Sequence, residues 1–234
     1  MRRILFAILA LGAIHTISAA EPKPQTLDID QMKGFHTIRI SGTLCVEVVS
    51  TEANPAMHLE LRGNDRRRFD WSVRDSVLNI SFGANSKSPA QPMLTVWTPT
   101  PIEQLTIKRS DVKLYDTAAT PLLDVTLQEG ARLSGEVVCQ DLRLDMSGRS
   151  VAEIEGQATY QTINVRGKSA LKADRVESKS VDLNAKGSSE VYVNATERAV
   201  LESKTHTSVF YNGNPTIVRT RTKLSATINS IGAR

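Results

Sequence analysis

From about residue 101 onward the chain repeats itself, and that repeat limits what it can fold into. Apolar–any–apolar strands start at Leu105, Val125, Leu142, Ile163, Val181 and Ala199, at intervals of roughly 17–21 residues. A small or polar turn follows each: Arg109-Ser110-Asp111, Glu129-Gly130-Ala131, Ser147-Gly148-Arg149-Ser150, Arg166-Gly167-Lys168-Ser169, Lys186-Gly187-Ser188-Ser189 and Lys204-Thr205-His206-Thr207. A second short strand closes the unit, as in Val112/Leu114, Leu171/Ala173, Val191/Val193 and Val209/Tyr211. The last two units match almost position by position, Lys186 to Ala195 against Lys204 to Gly213. Self-similarity at this period marks one coil of a solenoid. A coil of short strands cannot bury its apolar positions alone, whereas stacking coils about 4.8 Å apart pairs each strand with its equivalents above and below. A β-sandwich also shows short alternating strands but does not require one period. The expected fold is all-β, a single-domain right-handed parallel β-helix.

Before the repeat, residues 27–100 are less regular, although period-two alternation persists in Ile38-Arg39-Ile40, Leu44 to Val48, Met57 to Leu61, Val77 to Ile80 and Leu94 to Val96. Helix periodicity is nearly absent. This part holds Phe69, Trp71, Phe82 and Trp97, and a polar loop with prolines from Ser86 to Pro92. Solenoids need an atypical end unit to cover their core, so 27–100 is expected to be an N-terminal cap merging into the first coils. Asn214 through Asn229 reads as a last coil or cap. With no linker, one domain is expected over 21–234.

The first residues carry an export signature. Arg2 and Arg3 precede an apolar run from Ile4 to Ile14, followed by Ser18-Ala19-Ala20 and then a polar, proline-containing stretch. That order is a secretory signal peptide over 1–20, with a core too short to span a bilayer, which takes about 20 residues as a helix. No later segment is apolar enough to span one as a helix. Glu21, not a cysteine, follows the expected cleavage point, so a lipid anchor there is not expected. Removing Arg2 and Arg3 leaves 27 basic side chains against 25 acidic, a balance that calls for neither nucleic acid nor a charged membrane surface. Export makes a disulfide between Cys45 and Cys139 chemically possible. A core of this size does not need one, and two separate small buried residues is the favoured reading.

Phe35-x-x-Ile38-x-Ile40-Ser41-Gly42 at the start, the recurring Ser/Gly turns, and the ending Val209-Phe210-Tyr211-Asn212-Gly213-Asn214-Pro215 together resemble the auto-transporter adhesin head GIN domain, a family common among exported Bacteroidetes proteins. The resemblance covers nearly all of the chain after the leader. Its most specific part is the terminal tyrosine–any–glycine–any–proline segment. It implies a right-handed β-helical fold and a cell-envelope location. The family's turns typically read Gly-Ser-Gly-Asp. Here Asp111 keeps the acidic position in one coil, while Ser150, Ser169, Ser189 and Thr207 stand nearby in others, so an acidic, cation-binding turn ladder is not expected.

Signals for chemistry are weak. Arg166-Gly167-Lys168-Ser169 looks like the end of a phosphate loop, but Thr162 occupies the place of the required earlier glycine and strands flank the segment where a helix is needed. His15 belongs to the leader, and His36, His58 and His206 show no metal-ligand spacing. No Gly-x-Ser-x-Gly elbow is present. No catalytic, cofactor-binding or metal site is therefore assigned. Two surface readings remain. Glu129, Asp145, Glu153 and Glu155 could align on neighbouring coils as in carbohydrate-active β-helices. Arg109, Arg149, Arg166, Lys168, Lys186 and Lys204 lie at or beside equivalent corners and could stack into a stripe for an anionic ligand; exposed turns also favour such residues simply for solubility. The expected function is non-catalytic: an exported envelope protein, in the periplasm or at the cell surface, presenting a long flat face for adhesion or glycan binding. Its expected partner is an acidic glycan or another envelope protein. The alternatives are a carbohydrate-active lyase or hydrolase and a purely structural component.

Overall fold

The computed structural model describes residues 24–30, 32–83, 91–115 and 118–232. The leader expected over 1–20 and residues 86–90 of the polar loop lie outside the described residues. Among those described, the one helical element is a 3-10 segment, Gly63–Arg68; the remaining regular structure is strand, joined into one continuous sheet that coils on itself.

Alternation is the local cause. In the strands of the central coils one residue in two is apolar and buried, and neighbouring coils repeat the pattern in parallel register. On the first face of the solenoid, Leu105 pairs with Val125, Val125 with Leu144, Leu144 with Ile163, Ile163 with Leu183 and Leu183 with Leu201. On the second face, Val46, Val112, Leu133, Ala152, Leu171, Val191 and Val209 form the matching column. All of these are buried in one apolar cluster. Each fully buried Val, Leu or Ile contributes about 1.5–3 kcal/mol relative to exposure.

The aliphatic columns exist, but their register differs from the one expected from strand starts. Leu142 pairs with Leu123 rather than Val125, and Val181 with Gln161 rather than Ile163. The slip is two residues each time. A two-residue slip leaves every side chain on the same face of a strand, so hydrophobic alternation cannot detect it. Register is set instead at the corner, where Gly167 pairs with Gly187. Counting back from Gly148, Gly167 and Gly187 aligns Leu144, Ile163 and Leu183.

The N-terminal part is more ordered than its sequence pattern predicts. Thr37–Gly42 and Cys45–Ser50 form a coil that pairs in parallel with Gln104–Lys108 and Asp111–Tyr115 on one side. On its other side it pairs with Val77–Phe82 and Met93–Thr98. The order of coils in space is therefore not their order in sequence: the 77–98 coil lies outside the 37–50 coil, and the chain then returns past it. Antiparallel strands finish this end, Phe69–Arg74 on 77–82, Ala56–Arg62 on 93–98, and Pro24–Ile29 on 56–62. Phe69 and Phe82 face each other across one of these pairs and, with Phe35, close the core.

The far end is different. Ile217–Lys223 and Thr227–Ser230 form a final parallel coil on 198–204 and 208–212, and every side chain of Ile217–Lys223 is exposed. Cys45 and Cys139 are both free thiols. Cys45 donates to Gln91 Oε1 at 2.8 Å, whereas Cys139 is buried, and desolvation pushes its pKa up to about 11.

Candidate binding surface

The corner after each first-face strand gathers the cations. Successive coils place Arg166, Lys186, Lys204 and Lys223 in one outward column by direct register, with about 4.8 Å between neighbours. These positions close a strand just before a tight turn, where a long charged side chain stays hydrated while its backbone pairs. Arg166, Lys186 and Lys223 are exposed and Lys204 is half-buried. Arg149 and Lys168 occupy equivalent turn positions beside this column, since Lys168 N–H donates to Gly148 O at 3.0 Å and Ala170 N–H to Ser150 O at 3.0 Å.

Five of the six residues singled out from the sequence, Arg149, Arg166, Lys168, Lys186 and Lys204, thus share one corner over four coils. Arg109 belongs to the same corner but is cut off from them by the Glu129–Gly130 turn. Glu129 neutralises that region, lying 2.8 Å from Lys108 and 3.6 Å from Arg109. The hydrogen bond from Lys108 holds its carboxyl below the usual range. Sequence reasoning missed Lys223, although it stands at the end of the final first-face strand as Lys204 does in the preceding one.

Partial neutralisation grades the stripe. Arg166 pairs with Asp145 at 2.8 Å. Lys204 lies 2.9 Å and Arg221 3.8 Å from Glu202, whose pKa is lowered first by the Lys204 hydrogen bond and then by neighbouring charge. Lys186 and Lys223 have no ion-pair partner among the described residues. Arg219 and Arg221, exposed on the same terminal strand as Lys223, extend the positive region across the first face.

The four carboxylates that could have aligned do not form one cluster, although Glu153 and Glu155 meet at Arg175. Glu129 is at the corner, Asp145 on the first face, and Glu153 and Glu155 on the second. Glu153 and Glu155 share one cation: Arg175 lies 3.4 Å from Glu153 and 3.0 Å from Glu155, and Lys172 lies 3.8 Å from Glu153. His36 lies 3.7 Å from Glu103, and His58 lies 2.5 Å from Asp28 and 3.6 Å from Glu60. Among the described residues no three His, Cys, Asp or Glu side chains are grouped to hold a metal ion.

The turn hydroxyls are structural in a way the sequence did not reveal. Ser110 is buried at the start of one second-face strand and Ser150, Ser169, Ser189 and Thr207 at the start of four successive ones, with Ala131 in the same place on the strand between. Ser150 Oγ donates to Ser147 O at 2.7 Å and Ser169 Oγ to Arg166 O at 2.9 Å, while Thr207 Oγ1 reaches Lys204 O at 2.9 Å and Gly187 O at 3.1 Å. Their hydroxyl protons go to corner carbonyls, so these buried side chains are hydrogen-bonded, as burial of a polar group requires.

This architecture has solved counterparts. A putative adhesin from Bacteroides fragilis superposes with a TM-score of 0.82 at 21% identity, over 89% of this chain and 97% of that one. One from Parabacteroides distasonis gives 0.71 at 14% identity, over 90% and 98%. A putative lipid binding protein from Parabacteroides distasonis gives 0.58 at 16% identity, over 89% and 96%. At these identities the likeness establishes the shared fold alone. No curated protein matches the chain in sequence. The family model described as "Putative auto-transporter adhesin, head GIN domain" matches residues 34–215, and on that span the chain belongs to this family.

Proposed function

We propose that this protein is a non-catalytic binding module of the cell envelope, exported as its first residues suggest, whose basic corner holds an acidic glycan. One observation carries the reading: Arg166, Lys186, Lys204 and Lys223 stand in register on four successive coils, flanked by Arg149 and Lys168. A rigid row of cations about 4.8 Å apart suits a linear polyanion, which many weak contacts retain where one would not. The adhesin names of the family and of the related structures agree with such a role. Glu153 and Glu155 share Arg175 as an ion-pair partner, which favours binding over cleavage, because the general acid of a glycoside hydrolase must hold a proton and a neighbouring cation favours the ionised carboxylate.

The test is retention on immobilised heparin as salt is raised, with the eluted glycan assayed for cleavage products. Exposed charges are screened within about 8–10 Å at physiological salt, so the wild-type protein should elute at a salt concentration that falls when Arg166, Lys186, Lys204 and Lys223 are all changed to Gln. Retention unaffected by that combined change would remove the stripe as the binding surface. Released unsaturated or shortened products would replace the binding module with an enzyme.

A further inference from the structure

On the second face, away from the basic corner, a different outward column runs Glu153, Lys172, Tyr192, Phe210, Asn229. Tyr192 and Phe210 stack, with ring centroids 4.7 Å apart and planes 15° from parallel. One face of the Tyr192 ring is thereby covered. The other looks toward the preceding coil, where the register partner is Lys172 and no ring stands. Lys172 reaches further back, its Nζ 3.8 Å from Glu153 Oε2. Ala170, on the same strand, is too small to fill the space. What is left is a cleft of about 230 Å³ lined by Ala170, Leu171, Lys172, Asp174, Glu190 and Tyr192. The Tyr192 hydroxyl donates to Glu190 Oε1 at 2.7 Å, so the ring is held at its edge as well as from behind.

The chemistry of this lining is selective. Drug-sized ligands occupy about 300–1,000 Å³, so this cleft takes a single ring. A flat aromatic face suits the C–H side of a sugar ring, and the ring is rigid before any ligand arrives, which lowers the entropy lost on binding. Asp174 and Glu190 accept hydrogen bonds from hydroxyls, and Lys172 donates them. The two carboxylates repel sulfate, phosphate or uronate groups. A quaternary ammonium would meet one ring, not an aromatic cage, and the Lys172 charge beside it. We propose that the cleft is a subsite for one uncharged pyranose ring of a glycan, stacked on the open face of Tyr192 and hydrogen-bonded by Asp174, Glu190 and Lys172. This does not rest on the basic corner.

The test is saturation-transfer NMR on the purified protein with the methyl pyranosides of glucose, galactose, mannose and N-acetylglucosamine, and with methyl glucuronide and tetramethylammonium as charged competitors. At least one neutral glycoside should receive saturation, concentrated on the C–H groups of one ring face. Tyr192→Ala should weaken it by about tenfold or more, as loss of a stacking partner implies. Tyr192→Phe, which keeps the stack and loses one hydrogen bond, should stay within about threefold. Ala170→Leu fills the cleft, leaves the Tyr192–Phe210 pair in place and should abolish the signal, so the test survives even if Tyr192→Ala fails to fold. Silence from all four neutral glycosides, indifference to both Tyr192→Ala and Ala170→Leu, or stronger binding of a charged competitor would each overturn the proposal. Heparin retention should be unchanged in Ala170→Leu, which separates this site from the stripe.

Discussion

Two glycines with nearly the same kind of backbone should respond very differently to one added methyl group. Gly187 and Gly130 both turn the corner with positive φ, at 104° and 82°. A Cβ on Gly130 meets nothing within 4 Å, whereas on Gly187 it would sit 2.5 Å from the carbonyl oxygen of Gly167 and 2.8 Å from its nitrogen. That carbonyl cannot swing aside freely, because it accepts from Ser188 N–H at 2.8 Å and from Ser189 Oγ at 3.0 Å. For Gly130→Ala only the conformational term applies: about 1–2 kcal/mol for a left-handed L-residue, less about 0.4–1 kcal/mol from the stiffer unfolded chain. The net loss is about 0.5–1.5 kcal/mol. Gly187→Ala adds the overpacking of one coil on the next, about 1–3 kcal/mol, for a total of about 2–4 kcal/mol. At about 2–4 °C per kcal/mol for a chain of this size, Tm should fall by about 5–15 °C in one variant and by about 1–6 °C in the other. Urea unfolding followed by far-UV circular dichroism measures both, with an unchanged m-value showing that the same surface is exposed. Equal losses would refute the reasoning, because the close approach of coils would then not be why glycine stands at 187.

Thr205 holds the corresponding corner of the next coil at φ 60° with a β-branched side chain. Thr205→Gly should therefore raise stability by about 0.5–1 kcal/mol once the entropy of glycine is subtracted, seen as a higher urea midpoint; a lower one would contradict the strain. His58 links the outermost strand Pro24–Ile29 to its neighbour, and the hydrogen bond to Asp28 raises its pKa above the usual value. The protonated form is the one stabilised, so this contribution is complete below about pH 6.5, the unfolded value, and is lost as pH rises through the elevated folded pKa. The Tm gap between wild type and His58→Asn should be widest at pH 5 and close in alkaline buffer; a gap widening with pH would reverse the sign. Cys139, with a thiol pKa near 11, should resist a thiol-titrating disulfide reagent at pH 8 in the folded protein while the more exposed Cys45 reacts first. A fast phase that survives Cys45→Ser would assign the accessible thiol to Cys139 instead.

How much of this fold could be read in advance depended on which residues carry unique information. Inward alternation announced the strands, and small polar corners announced the coils, because both are forced by burial. Register was another matter. Leu123, Val125, Leu142 and Leu144 are all inward and all aliphatic, so pairing Val125 with Leu142 or with Leu144 satisfies the core equally. In the later coils the corner glycines Gly148 and Gly167, whose carbonyls receive the next coil's N–H, distinguish such registers, but beside Val125 the matching place is held by Glu129 at φ 55°, so glycine spacing does not reveal it. The coil order at the N-terminal end was illegible for the same reason. Ile38, Leu78 and Leu105 are equivalent inward residues, and nothing in their identity says that 37–50 lies between the other two coils.

The surface was legible to the extent that it sits at fixed offsets from those corners. Arg166, Lys186 and Lys204 each directly precede the small turn residue, so their stacking followed from the repeat, while Arg109 sits one place later, at the positive-φ corner that Glu129 holds in the next coil. The matching of Lys186–Ala195 with Lys204–Gly213 likewise put Tyr192 on Phe210. The cleft beside them did not follow, since it depends on where Lys172 reaches and on how little Ala170 fills. Outward residues of a solenoid bear little of the packing that holds the coils together, so a change there need not disturb the aliphatic columns. A chain of this kind can therefore alter its ligand without altering its fold, and relatives at 14–21% identity that share the architecture need not share the stripe or the Tyr192 cleft. Specificity within the family is accordingly to be sought in columns such as Lys172–Tyr192–Phe210, one residue away from positions that stability keeps aliphatic.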